Sequence, residues 1–248
     1  MRGAYVLWRR QLIRYVRSRW RMIGTLGQPI LFLVALGFGF GPIYAKAGGG
    51  DFIQFLAPGI IAMTVLFTAV FSGMETIWDR QIGFLKETLV APVSRFEIML
   101  GKTLGGATIS IVQGAIVFLV TLVVGYRPES WIMLPLAFLF MFLIGMMFTA
   151  FGVAIACNME DMQAFPIILN FMIMPLFFLS GALYPLEGLP KTLTIISSFN
   201  PLSYGVDGLR QTLTGISYFG FGLDFVVVVF VSLVFFILGS YMFSRVQV

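Results

Sequence analysis

The chain has 248 residues, 59% of them hydrophobic and 11% charged, with 16 Lys and Arg against 11 Asp and Glu, and a mean hydropathy of +0.96. A soluble domain carries roughly a quarter charged residues, so this composition excludes a water-soluble fold and leaves an integral membrane protein. Histidine is absent and Cys157 is the single cysteine, which excludes Cys/His zinc sites, intrachain disulfides, paired-thiol redox chemistry and histidine acid–base catalysis.

Residues 1–21 read as an interfacial amphipathic helix. At about 100° per residue, Arg10, Arg14, Arg17 and Arg21 share one arc, while Tyr5, Trp8, Leu12, Tyr15, Val16 and Trp20 cover the other side. The pattern predicts aromatics lying on the bilayer and arginines turned toward anionic headgroups. Arg9-Arg10-Gln11-Leu12 resembles a twin-arginine leader, but the apolar stretch behind it, about 22 residues, exceeds the 7 to 15 of a leader core. It is expected to be a retained span.

Six apolar runs follow: Met22 to Tyr44, Phe52 to Met74, Thr103 to Tyr126, Trp131 to Ala156, Ala164 to Leu183 and Phe225 to Phe243. Each can cross a hydrocarbon core about 30 Å thick at 1.5 Å per residue. No Asp, Glu, Lys or Arg falls inside any of them, as the cost of an ionised group at mid-bilayer requires. Placing both termini in the cytoplasm leaves Lys46, Arg127, Lys191 and Arg210 outside and every other Lys and Arg inside, so the predicted orientation is N-in and C-in.

The connection over residues 75–102 is the longest predicted on the cytoplasmic side. Glu75 to Val90 reads as a short helix that packs Ile77, Phe84, Leu85 and Leu89 and exposes Asp79, Arg80 and Lys86. Ala91-Pro92 ends it, and Ser94 with Glu97 forms a capping box that restarts the chain. The turn Cys157 to Met162 is very short, with Asn158 as a cap and Glu160 and Asp161 near the start of the next helix. Residues 184–222 are too apolar for a plain loop. Pro190 and Pro201 each open a short helix there, one carrying Leu193 and Ile196, the other Tyr204, Leu209 and Leu213. Neither can span, so both are expected to dip into the outer leaflet and return.

Gly101-Lys102-Thr103 matches the tail of a phosphate-binding loop, but position 96 is Phe where that pattern needs glycine. Gly37-x-x-x-Gly41 and Gly101-x-x-x-Gly105 match the small-residue packing pattern, which 27 glycines also generate by chance. No acid, base or metal ligand is expected inside the spans, so neither intramembrane catalysis nor coupling to an ion gradient is expected from this chain. Uphill transport would draw its energy through the loops, from a partner. An ATP-independent channel or assembly factor is the alternative of a different class.

The stretch Trp78 to Arg95, with Leu179-Ser-Gly-Ala-Leu-Tyr-Pro185, Asn200-Pro-Leu-Ser-Tyr204 and Asp207-Gly-Leu-Arg210, resembles ABC-2 type transporter permeases, the membrane subunits of ATP-driven exporters. Within them it is most similar to the daunorubicin-resistance-like drug exporters, and lipid-linked oligosaccharide and polysaccharide exporters share the architecture. The resemblance implies an all-α integral membrane protein, a single transmembrane domain over 1–248. It implies six transmembrane helices, an interfacial helix over 1–21, a coupling loop over 75–102 and re-entrant outer helices within 184–222. The coupling helix would contact an ATPase subunit through Asp79, Arg80, Gly83, Lys86, Glu87 and Pro92, with Glu160 and Asp161 as a second contact. Pro185, Pro201, Tyr204 and Arg210 would belong to the external gate. Two permease chains and two ATPase subunits would assemble in a prokaryotic plasma membrane, with ATP and Mg bound by the ATPase, no cofactor on this chain and no nucleic-acid partner.

Overall fold

A computed structural model describes residues 2–48, 50–159 and 162–245, apart from the side chains of residues 21, 85, 86, 89 and 162. The described residues form an α-helical bundle. Five helices are long and apolar enough to cross a membrane: α2 (Arg19–Lys46), α3 (Phe52–Gln81), α5 (Arg95–Val124), α6 (Leu134–Cys157, entered through the turn Trp131–Met133) and α11 (Phe221–Ser244). Shorter pieces complete the chain: α1 (Arg2–Arg17), α4 (Phe84–Val90), α7 (Phe165–Ile168), α8 (Met174–Phe178), α9 (Lys191–Phe199) and α10 (Pro201–Thr214).

The axis of the bundle is α3, packed on α2, α5, α6 and α10. Between lipid-embedded helices there is little hydrophobic gain, so close backbone approach through small residues holds them together. At the α3–α6 crossing a Cβ on Gly73 would lie 2.6 Å from the Thr149 carbonyl oxygen, and one on Gly152 2.8 Å from that of Val70. The apolar faces of α2 and α11 stay largely uncovered, as lipid-facing helices do.

The first helix differs from its sequence pattern. It ends at Arg17, with a bend at Ser18, and α2 starts at Arg19. Its buried face is Ala4, Leu7, Gln11 and Tyr15, seated on α5 where glycine removes the side chain: a Cβ on Gly101 would lie 2.7 Å from the Ala4 carbonyl oxygen. Trp8 Nε1 donates to Thr108 Oγ1 at 3.1 Å. Trp8 and Tyr15 therefore serve packing on protein, not on the bilayer, because α5 offers a glycine groove that a lipid surface does not. Of the two small-residue matches, Gly101-x-x-x-Gly105 is this groove, while Gly41 has no atom within 4 Å of a Cβ position.

The predicted fifth span is also shorter than expected. Phe165–Phe178 is the apolar helix there, interrupted by a π-turn at Leu169–Ile173. At 1.5 Å per residue it extends about 21 Å, less than a hydrocarbon core. Pro175 stands at the start of α8, and the helix ends before the Leu179–Pro185 motif, whose Gly181 has a φ of 74°. The helices opened by Pro190 and Pro201 are present as α9 and α10, the second capped by Asn200, whose side chain accepts from Leu202 N. Leu202, Val206, Leu209 and Leu213 of α10 are fully covered by α3, α6 and α11.

Candidate functional site

The residues expected to contact a partner do not form one surface. The helix α3 does not stop at Met74 but runs on through Glu75 and Asp79 to Gln81, and the break falls at Ile82-Gly83. Continuation is possible because both carboxylates are neutralised from neighbouring helices. Asp79 Oδ2 accepts from Lys102 Nζ at 2.5 Å, and Oδ1 pairs with Arg14 at 3.2 Å and Arg10 at 3.4 Å. Arg14 also pairs with Glu75. Asp79 is 1% exposed and Lys102 3%. The expectation of an exposed Asp79 that touches a partner is thus overturned: a carboxylate surrounded by three cations is held inside the fold. Arg10 and Arg14 likewise turn to these acids and not to headgroups, because a buried carboxylate is a better partner than a hydrated surface.

This charge node lies directly behind α4. Gly83, with a φ of 77°, makes the sharp turn between α3 and α4, a conformation that L side chains rarely adopt. The Arg10 guanidinium carbon sits 3.5 Å from the centre of the Phe84 ring, so the arginine that pairs with Asp79 also stacks on the first residue of α4. Glu87 and Pro92 are exposed, Arg80 is half-buried and Gly83 half-covered. The Lys86 side chain, and Glu160 and Asp161 entirely, lie outside the described residues. Ser94 Oγ accepts from Glu97 N at 3.2 Å, the predicted cap that opens α5. Arg95 then donates to the carbonyl oxygens of Phe243, at 3.3 Å, and Ser244, tying the start of α5 to the last turn of α11. The charge node joins α1, α3 and α5, and Arg95 adds α11, with α4 hung from the end of α3.

At the opposite end, Arg210 is buried, donates to the Gly181 carbonyl oxygen at 2.8 Å and lies 4.2 Å from the centre of the Phe55 ring. Burial lowers its guanidinium to about 10, opposed by the nearby carboxylates of Asp207 and Glu187, so it remains charged at neutral pH. Arg210 thus clamps the Leu179–Pro185 motif to α3 and α10. Tyr204 donates to the Ser198 carbonyl oxygen at 2.8 Å and stacks on Phe219, joining α9 to α10. Pro201 begins α10, and Pro185 is half-buried. Asp207 accepts from Ser217 Oγ at 3.0 Å, Tyr218 N at 2.8 Å and Phe219 N at 2.7 Å, and Asp224 is buried near it. Sequence reasoning missed the node because Asp79 meets Arg10, Arg14 and Lys102 from other helices, and it missed the loop lock although Asp207 and its partners Ser217, Tyr218 and Phe219 lie close in the chain. The available signal was Asp224, an acid directly before the apolar run of α11, while nothing local marked Asp79 within its mixed-charge loop.

An α-helical bundle with five membrane-length helices and its charges gathered at helix ends defines a multi-pass membrane protein. The sequence model of the ABC-2 type transporter family matches residues 2–214, and the chain belongs to that family. Transport permease ycf38 of Cyanophora paradoxa is 30% identical over 83% of this chain and 72% of its own length. The protein of the same name in Pyropia yezoensis is 31% identical over 84% and 74%. Nodulation protein J of Rhizobium leguminosarum bv. trifolii is 28% identical over 84% and 80%. The relatives support a membrane permease subunit.

Proposed function

We propose that the chain is the membrane-spanning subunit of an ATP-driven exporter, working with a separate ATPase that binds ATP and Mg. The observation that carries this reading is α4: a short helix with an exposed carboxylate at Glu87, hinged at Gly83 and backed through Arg10 by a node joining α1, α3 and α5. A push on α4 reaches three helices at once. The basic end is then cytoplasmic by the positive-inside rule, in a prokaryotic plasma membrane. Connectivity supports a sixth crossing: α6 ends at the basic end, whereas Ala182 packs on Gly59, in the half of α3 that starts from the opposite end. Phe165–Phe178 and the turn after it would make that crossing, with α9 and α10 re-entering from outside as the gate held by Arg210, Tyr204, Pro185 and Pro201. The whole chain acts as one transmembrane domain, two copies pair around the path with two ATPase subunits below, and the substrate is an amphipathic, drug-like molecule.

Reversing charge at Arg80 and Lys86 (R80E/K86E) is expected to leave the folded chain intact and to reduce export per ATP hydrolysed several-fold. Co-purification with the ATPase and substrate accumulation in inverted vesicles measure both. Normal assembly and normal export by this variant would remove α4 from the coupling role. Export of a lipid-linked glycan is the second reading, favoured by a cleft between α2 and α3 whose lining includes Thr25, Gln28, Thr64 and Thr68.

A further inference from the structure

Asp224 stands in the first turn of α11, directly before its apolar run, and is fully buried. Neither of its carboxylate oxygens receives a hydrogen bond from a described residue. The start of a helix favours an anion, but burying a carboxylate without donors is more unfavourable than that gain. Its neighbour is a second acid: Asp207 of α10, also buried, lies within hydrogen-bond reach of it.

The two acids are supplied very differently. Asp207 accepts from Ser217 Oγ at 3.0 Å and from the backbone N–H groups of Tyr218 and Phe219 at 2.8 and 2.7 Å, and the charge of Arg210 acts on it from the same helix. Its negative charge is therefore well stabilised. Asp224 has only Asp207 to turn to, and two carboxylates bond to each other only through a proton. The other ionisable groups nearby supply no counter-charge. Tyr204 gives its hydroxyl hydrogen to the Ser198 carbonyl oxygen, Tyr218 contributes its backbone N–H, and Glu129 lies against Gly215 at the end of α10. The helices α5 and α6 also pack on α11, and residues 110–124 and 134–156 contain no ionisable side chain.

We propose that Asp207 and Asp224 share one proton, with Asp224 as the neutral donor, and that this proton latches the outer end of α11 to α10, so that alkaline conditions outside release it. On release the Asp224 O–H bond breaks, the proton passes to water and two adjacent carboxylates remain. Their repulsion, in a site with no further donors for Asp224, drives the first turn of α11 away from α10. Phe219 stacks on Tyr204, which joins α9 to α10, so the release reaches both short helices of the outer end. The latched state holds one proton more than the released state. Rising pH therefore favours release, by up to about tenfold per pH unit. The consequence for export rests on the exporter reading, with α9 and α10 as its gate; the proton site does not.

The test uses the full chain in nanodiscs. At about pH 7 the infrared spectrum of the wild-type chain minus that of Asp224→Asn is expected to show the C=O stretch of a protonated carboxyl. Hydrogen exchange over residues 221–225, corrected for its intrinsic pH dependence, is expected to lose protection at least tenfold between about pH 6 and about pH 9. Asp224→Asn, whose side-chain amide can donate to Asp207 at any pH, is expected to keep its protection constant over that range. Absence of the carboxyl band, a flat wild-type series, or the same pH dependence in Asp224→Asn overturns the latch. Recovery of protection at the upper pH on adding calcium also overturns it, since a metal ion and not a proton would then bridge the acids. Should Asp224→Asn not fold, the wild-type exchange series decides alone. Export that ignores external pH while exchange follows the latch would count against the gate reading and not against the proton site.

Discussion

Asp79 shows how a single residue changes role once its neighbours are known. In the sequence it is one acid in a mixed-charge loop; in the fold it receives Lys102, Arg14 and Arg10 within 3.4 Å. Replacing a buried ion pair by apolar groups can be neutral, but removing one partner leaves a charge stranded. Asp79→Ala is therefore expected to destabilise the chain by about 3 kcal/mol. Asp79→Ala/Lys102→Met should recover at least about 1 kcal/mol of that, because the stranded ammonium goes too. Unfolding midpoints in detergent, read by fluorescence, check both. Gly83 is a second case: a Cβ there meets nothing within 4 Å, but its φ is 77°. Gly83→Val should cost about 1–2 kcal/mol through the backbone alone, read in the same assay, and should lower export per ATP by stiffening the hinge of α4.

At the scale of elements, α1 is held by shape as well as by charge. Its Ala4–Leu7–Gln11 face enters a groove made by Gly101 and Gly105. Gly101→Leu fills that groove and should lift α1 away, with an overpacking cost of about 1–3 kcal/mol. Faster backbone hydrogen exchange over α1 than in the unmodified chain is the expected readout, with α6 and α11 unchanged. The capping of α5 by Ser94 and the helix starts at Pro190 and Pro201 were legible because they depend on a few adjacent residues. The end of α3 was not, because it depends on Arg10, Arg14 and Lys102 reaching Asp79 and Glu75 from other helices. Part of the face of residues 1–21 was misread for the same reason: Tyr5, Val16 and Trp20 stay exposed, but the helical wheel does not say that a glycine groove on α5 lies opposite Ala4.

For the whole molecule, the arrangement of basic and opposite ends makes a direct prediction about sidedness. In a Cys157→Ser background, a cysteine at the exposed Glu87 position should be labelled by an impermeant maleimide only from the cytoplasmic side. One at the exposed Glu187 position should be labelled only from outside. Labelling of both from one side would rule out the sixth crossing between α6 and α9.

By itself the sequence determined that the chain is a multi-pass membrane protein, where its apolar helices lie and which end is basic. These follow from composition, run length and the cost of burying charge, all local properties. The family was legible too, through short motifs that survive as contiguous residues. Only the tertiary structure decided that Asp79 is an internal anchor, that Arg210 clamps the Gly181 turn, that Phe165–Phe178 is shorter than a span, and that Gln28, Thr64 and Thr68 line one cleft. Each of these depends on which distant side chains become neighbours, and that is set by how glycine surfaces and buried charges allow the helices to pack.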